Sequence, residues 1–172
     1  IKGQVKGVLE VFHQTPRNPD SKWFDYFETL ATQTMIALEN ANLLSTLQLK
    51  NEELTLAYDA TIEGWSRALD LRDHETEGHT QRVTEMALQL AEQMGMSQSD
   101  KADMRRGALL HDIGKMGVPD SILHKPGDLT ETEWKIMREH PILAYRMLSP
   151  ITYLNRALDI SYYHHERWDG SG

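Results

Sequence analysis

Residues 22 to 63 contain neither glycine nor proline. Those are the two strongest breakers of regular structure, so the stretch can run as one helix. Its apolar residues Phe24, Phe27, Ala31, Met35, Leu38, Ala41 and Leu44 recur at intervals of three and four, the helical period. A helix that starts near Lys22 and passes Asn51 serves as a connector. Everything after residue 50 reads as helices and loops, so the expected fold class is mainly α.

Ahead of the connector, residues 1 to 12 are rich in valine and predict a strand, and residues 13 to 21 (HQTPRNPDS) predict a loop. Beyond it, Tyr58, Ile62, Trp65 and Leu69 share a face, with Trp65 expected in the core. A helix is expected from about Glu75 to Met94, with His79, Val83, Met86, Ala87, Leu90 and Met94 on its apolar stripe. Gly95 suits the position after that helix, and Ser97 caps the next, which carries Met104, Leu109 and Leu110 into His111-Asp112. Gly114 is expected to break the helix there. Residues 116 to 127 look irregular. Thr130 and Glu133 form a capping box for a helix from 131 to about 148, which Pro141 should bend or restart. Ser149-Pro150 opens a last helix.

The chain has no cysteine, so disulfides and thiolate metal sites are excluded. Its net charge of -8 argues against broad DNA binding, which needs a basic face. No stretch reaches the roughly 20 apolar residues of a membrane helix, and a cytoplasmic location is expected. The chain opens and closes in mid-pattern and reads as a piece of a longer protein.

Eight histidines are the notable bias. Adjacent His111 and Asp112 offer an imidazole and a carboxylate to one point, beside the cation of Lys115. Glu75 and His79 stand four apart, a spacing that serves a ligand pair or an ordinary ion pair. His140 lies at a proline, and His164-His165 precede a DGSG turn. Imidazoles and carboxylates without thiolates suit iron, manganese, zinc or nickel. Five imidazoles and two carboxylates exceed the needs of one ion, whereas two metals bridged by Asp112, or three, would use them. Paired metals are a common device for phosphate ester hydrolysis. His13, His74 and His124 read as surface or loop, Trp168 as packing the turn, and Arg105-Arg106 as a solvated helix face.

These residues fall in four ordered motifs: RDHETEGHTQRV (Arg72 to Val83), HDIGK (His111 to Lys115), EHP (Glu139 to Pro141) and HHERWDGSG (His164 to Gly172). Over about residues 55 to 172 the chain resembles an HD-GYP domain, the subclass of the HD phosphohydrolase superfamily that hydrolyses cyclic di-GMP. The resemblance implies a helical bundle and two or three divalent ions, iron or manganese. It implies His79, His111, Asp112, His140, His164 and His165 as ligands, with Asp112 bridging, and Glu75 as the holder of a third metal in some members. It implies Lys115 on the substrate phosphate and Asp169-Gly170 in the signature, at the substrate. The signature's Tyr-Pro would follow Gly172, and a further aspartate ligand would lie downstream, so the fragment alone is expected to lack part of the site. Residues 1 to 45, with GVLEV at Gly7 to Val11, resemble the C-terminal end of a GAF sensor domain. The implied organisation is a GAF remnant (1–45), a helical connector (46–60) and a truncated HD-GYP domain (61–172). Leu43, Leu44, Leu47 and Leu54 on the connector suggest either a homodimer seam or ordinary packing. The expected function is cyclic di-GMP hydrolysis to linear pGpG and GMP in bacterial signalling. The alternatives are another nucleotide substrate, or a receptor without turnover.

Overall fold

The computed structural model describes residues 5–73 and 78–172. The described elements are α1 (Ser21–Asp73), α2 (His79–Gln93), α3 (Gln98–Leu109), a 3₁₀ helix at Ile113–Gly117, α4 (Asp120–Leu123), α5 (Glu131–Met137), α6 (His140–Leu148), a 3₁₀ helix at Thr152–Leu154 and α7 (Leu158–Tyr163). None of these helices is long and apolar enough to cross a membrane. Contacts divide the chain into two compact units, Ile1–Thr55 and Leu56–Gly172.

In the first unit, Asp20 opens α1 by accepting a hydrogen bond from the Trp23 N–H (2.9 Å), which satisfies a first-turn donor that has no partner within the helix. Trp23 stacks on Phe27 with ring centroids 5.1 Å apart. The strand expected over residues 1–12 is not formed by its described part. Residues 5–12 have no regular secondary structure, and Val8 and Phe12 are exposed. A strand is held by ladder hydrogen bonds to a neighbour, and no strand occurs among the described residues to supply them.

The second unit is built around Ile62 and Leu69 of α1, Leu109, Leu110 and Ile113, Ala144 and Leu148 of α6, Leu154 and Leu158. The buried face of α1 runs through Ile62, Ser66 and Leu69. Trp65 lies at its edge and is 40 % exposed, so it is not a core residue. The stripe expected on α2 is also displaced. Met86, Leu90 and Met94 are exposed, and Thr80, Thr84 and Ala91 are buried. Small side chains let α2 approach its neighbours closely, and the two threonines satisfy themselves: Thr80 donates to Asp70 (2.7 Å) and Thr84 to the Thr80 carbonyl (2.8 Å).

Arg105 and Arg106 are not a solvated face. Arg106 bonds Asp59 on α1 (2.8 Å) and covers the Tyr153 ring at 4.5 Å, while Arg105 pairs with Glu63. The arginines therefore bind α3, the helix that leads to His111, against α1.

Local signals at the turns appear as the residue types require. Gly95 takes a positive φ of 68°, and the Met96 N–H reaches back to Ala91 (3.0 Å), closing α2 in the manner glycine permits. Ser97 caps α3, and Thr130 with Glu133 completes a capping box on α5. Pro141 restarts the chain as α6. The last helix does not begin at Ser149-Pro150: a 3₁₀ turn intervenes before α7. The segment 116–127 contains the short helix α4.

Candidate metal centre

His111 and Asp112 follow the end of α3 rather than lying within it, since that helix stops at Leu109. Gly114 therefore does not break the helix. It lets the 3₁₀ segment touch α6, because a Cβ there would lie 1.8 Å from the His140 carbonyl oxygen. This contact sets His140, the first residue of α6, opposite Asp112. His164 and His165 arrive from the other side, just past the end of α7.

Asp112, His140, His164 and His165 each offer one ligand atom, and the four atoms lie within 4.8 Å of one another. Asp112 Oδ1 is 3.2 Å from His140 Nε2 and 3.4 Å from His164 Nε2. His140 Nε2 is 3.1 Å from His164 Nε2 and 3.2 Å from His165 Nε2. The other carboxylate oxygen faces a second group: Asp112 Oδ2 is 3.1 Å from His111 Nε2 and 2.9 Å from Lys115 Nζ. The ring of His79 stands beside His111, with centroids 6.4 Å apart.

Three of the imidazoles are oriented by one device. His111 Nδ1–H donates to the Ala108 carbonyl (2.7 Å), His140 Nδ1–H to Met137 (2.8 Å) and His164 Nδ1–H to Ser161 (3.0 Å). A carbonyl only accepts, so the proton sits on Nδ1 and Nε2 is left to point inward. Backbone anchoring of this kind is what holds metal-ligating histidines.

Burial works to raise the Asp112 pKa, but hydrogen bonds from His111, His140 and His164, donated when their inward Nε2 is also protonated, outweigh it and hold the carboxyl far below the usual range. A bound cation would replace those protons and use the same Nε2 lone pairs. Burial works to lower that of His111, and Asp112 reverses the sign, so the imidazole is raised. His165 is lowered, first by burial and then by His164 and His140. An ionised carboxylate with inward lone pairs about 3 Å apart is the donor set of a cation, because ligands about 2.1 Å from one ion at right angles are separated by that much. The cluster fits a metal ion.

Of the remaining candidates, Glu75 and His74 lie outside the described residues. Asp169 turns inward on its own loop, where Oδ1 accepts from the Ser171 N–H (3.0 Å), and Gly170 supplies the positive φ of 73°. Trp168 is fully exposed and does not pack the turn. Asp73 was not anticipated. Its carboxylate, 4 % exposed, lies 3.2 Å from Lys115 Nζ, a pairing across 42 positions of sequence that no local pattern encodes.

A family model for the HD domain matches residues 64–172, and the chain belongs to that family. It is 48 % identical over 107 residues to a cyclic di-GMP phosphodiesterase of Thermotoga maritima, covering 60 % of this chain and 28 % of the relative. It is 37 % identical over 139 residues to a 3'3'-cGAMP-specific phosphodiesterase of Vibrio cholerae, covering 80 % and 25 %. With the cyclic di-GMP phosphodiesterase response regulator RpfG of Xanthomonas campestris pv. campestris it shares 36 % identity over 142 residues, covering 81 % and 36 %. The chain thus spans about a quarter to a third of the length of these relatives.

Proposed function

We propose that this chain carries the metal-dependent phosphodiesterase module of an HD-GYP protein, which opens cyclic di-GMP to linear pGpG and cuts it on to GMP in bacterial signal transduction. The observation that carries the reading is the position of Asp112, whose two oxygens face two different sets of donors. A carboxylate so placed can bridge two ions, with His140, His164 and His165 on one side and His111 and His79 on the other. Glu75 is the candidate for a third. Imidazoles and carboxylates with no thiolate suit iron, manganese, zinc or nickel, and the resemblance to HD-GYP domains narrows the choice to iron or manganese. Bound divalent ions supply Lewis acidity at the phosphoryl oxygens and make a water nucleophilic at neutral pH. Asp112 and the Nδ1-anchored histidines hold their donor atoms in place before substrate arrives, so no reorganisation is needed at the reaction step. Lys115 keeps a positive charge beside Asp112 Oδ2 that can offset charge on a phosphate oxygen, and Asp169 and Gly170 are assigned to the substrate side.

The module is taken as residues 61–172, tethered by a connector (46–60) to a GAF-type sensor whose C-terminal end is 1–45, in a cytoplasmic protein. The exposed Leu43, Leu44, Leu47 and Leu54 of α1 support a homodimer along the connector. The similarity to a cGAMP-specific relative favours 3'3'-cGAMP as the second candidate substrate.

The test is to load the full-length protein anaerobically with iron or manganese and to follow cyclic di-GMP and 3'3'-cGAMP by chromatography. Hydrolysis of cyclic di-GMP that disappears in Asp112→Ala is the expected result. Turnover of 3'3'-cGAMP alone moves the assignment to that substrate. A folded, metal-loaded protein that cuts neither overturns the assignment and leaves another nucleotide substrate or a receptor without turnover.

A further inference from the structure

The last two residues of α1 grip the segment that carries Lys115. Arg72 donates through Nη1 to the Met116 carbonyl and through Nη2 to the Val118 carbonyl (3.0 Å) and Asp120 (2.8 Å). Asp73, on the next position, meets Lys115 Nζ at 3.2 Å. Together they hold both ends of the stretch from Lys115 to Val118. The Lys115 side chain is 14 % exposed, and its ammonium lies between Asp73 Oδ2 and Asp112 Oδ2. A lysine has four rotatable bonds and little orientation of its own, so fixed carboxylates such as these help define its position. The guanidinium, a rigid fork of donors, fixes the backbone from which that side chain projects.

We propose that Arg72 and Asp73 are positioning residues, a clamp through which the C-terminal turn of α1 sets where the Lys115 ammonium stands beside Asp112. Neither touches the four-residue donor cluster in its contacts above. They act through Lys115, and the end of α1 thereby governs the charge next to the site.

The clamp can be read without any metal or substrate. Lysines of this chain are pulse-labelled with an amine-reactive ester and quantified by peptide mass spectrometry. Asp73→Asn is expected to raise the labelling rate of Lys115 several-fold and to leave Lys101 and Lys125, which have carboxylate partners elsewhere, unchanged. Asp73→Glu restores slow labelling at least in part. Arg72→Gln carries the same expectation and decides the matter if Asp73→Asn fails to fold. Unchanged Lys115 labelling in the folded variants, or an equal rise at all three lysines, overturns the proposal. A second arm rests on the phosphodiesterase reading: in the metal-loaded full-length protein, Asp73→Asn lowers kcat several-fold, with KM and metal content per chain near those of the parent. If the parent hydrolyses nothing, that reading has failed, and the labelling result still decides the clamp.

Discussion

Gly114 and His140 touch so closely that a single added carbon cannot be placed: a Cβ on Gly114 falls 1.8 Å from the His140 carbonyl oxygen and 2.7 Å from the Ala144 nitrogen. The obstacle is backbone at the start of α6, which has no rotamer to yield. Gly114→Ala is expected to push α6 away from the 3₁₀ segment. Overpacking of this kind costs about 1–3 kcal/mol and occasionally more. It also separates His140 from Asp112, so metal affinity should fall along with the urea midpoint. A variant with parent-like stability and metal content contradicts the contact.

The donor cluster predicts a stability that depends on metal. A ligand that binds only the folded state stabilises it by about 2.7 kcal/mol at a hundredfold excess over its Kd. Thermal melts of the chain with and without manganese should therefore separate, and a chelator should abolish the difference. In Asp112→Asn and His140→Ala the manganese-dependent shift should be small or absent, because each change removes a donor from a cluster whose atoms lie within 4.8 Å. Equal shifts in parent and variants would place the ion elsewhere.

The elements that could be read from the chain are those whose cause is local. The Thr130–Glu133 box, the Ser97 cap and Gly95 each need only three or four neighbouring residues. The gathering of His140, His164 and His165 with Asp112 was legible because the motifs are ordered and dense in histidine, although the histidines lie up to 53 positions from Asp112. Periodicity failed where the buried face is small or polar: α2 turns Thr80 and Thr84 inward, and hydrophobicity alone selects Met86, Leu90 and Met94 instead. It failed again for Arg106 and Asp73, since a charge becomes buried only when a partner from a distant segment is brought to it. The strand expected over residues 1–12 is not formed by its described part, residues 5–12, because pairing is a property of two segments and cannot be read from one.

Arg106 offers a direct test of that distant pairing. Its side chain is 11 % exposed and Asp59 25 %, and Tyr153 also reaches Asp59 through its hydroxyl (3.3 Å). Asp59 is the chief reason the guanidinium pKa is raised. Arg106→Met leaves Asp59 half-buried without its cation, and a loss of about 2 kcal/mol is expected, below the 3–5 kcal/mol of a fully buried pair. Adding Asp59→Asn should recover part of it. Denaturant titrations of the two single variants and the double variant give the coupling. A double variant whose loss equals the sum of the singles shows that the residues do not interact.

Glu133 predicts a specific dependence on pH. Its Oε2 accepts from Lys125 Nζ (2.6 Å), the Thr130 N–H (2.7 Å) and the Thr130 hydroxyl (2.8 Å). The Lys125 bond first, and then Thr130, bring the carboxyl from 4.5 down to about 2. The folded pKa is thus below the unfolded one, so the folded state binds fewer protons in this interval. The contribution is complete above the unfolded value and is lost as pH falls through the folded one. Glu133→Gln keeps a side chain able to serve the capping box but removes the charge. The variant should be less stable than the parent near neutral pH, and the difference should shrink steadily as pH falls from 4.5 toward about 2. Urea midpoints of both proteins across that interval measure it. A difference that stays constant down to the lowest pH would assign the effect to shape and hydrogen bonding, with no part for the carboxylate charge.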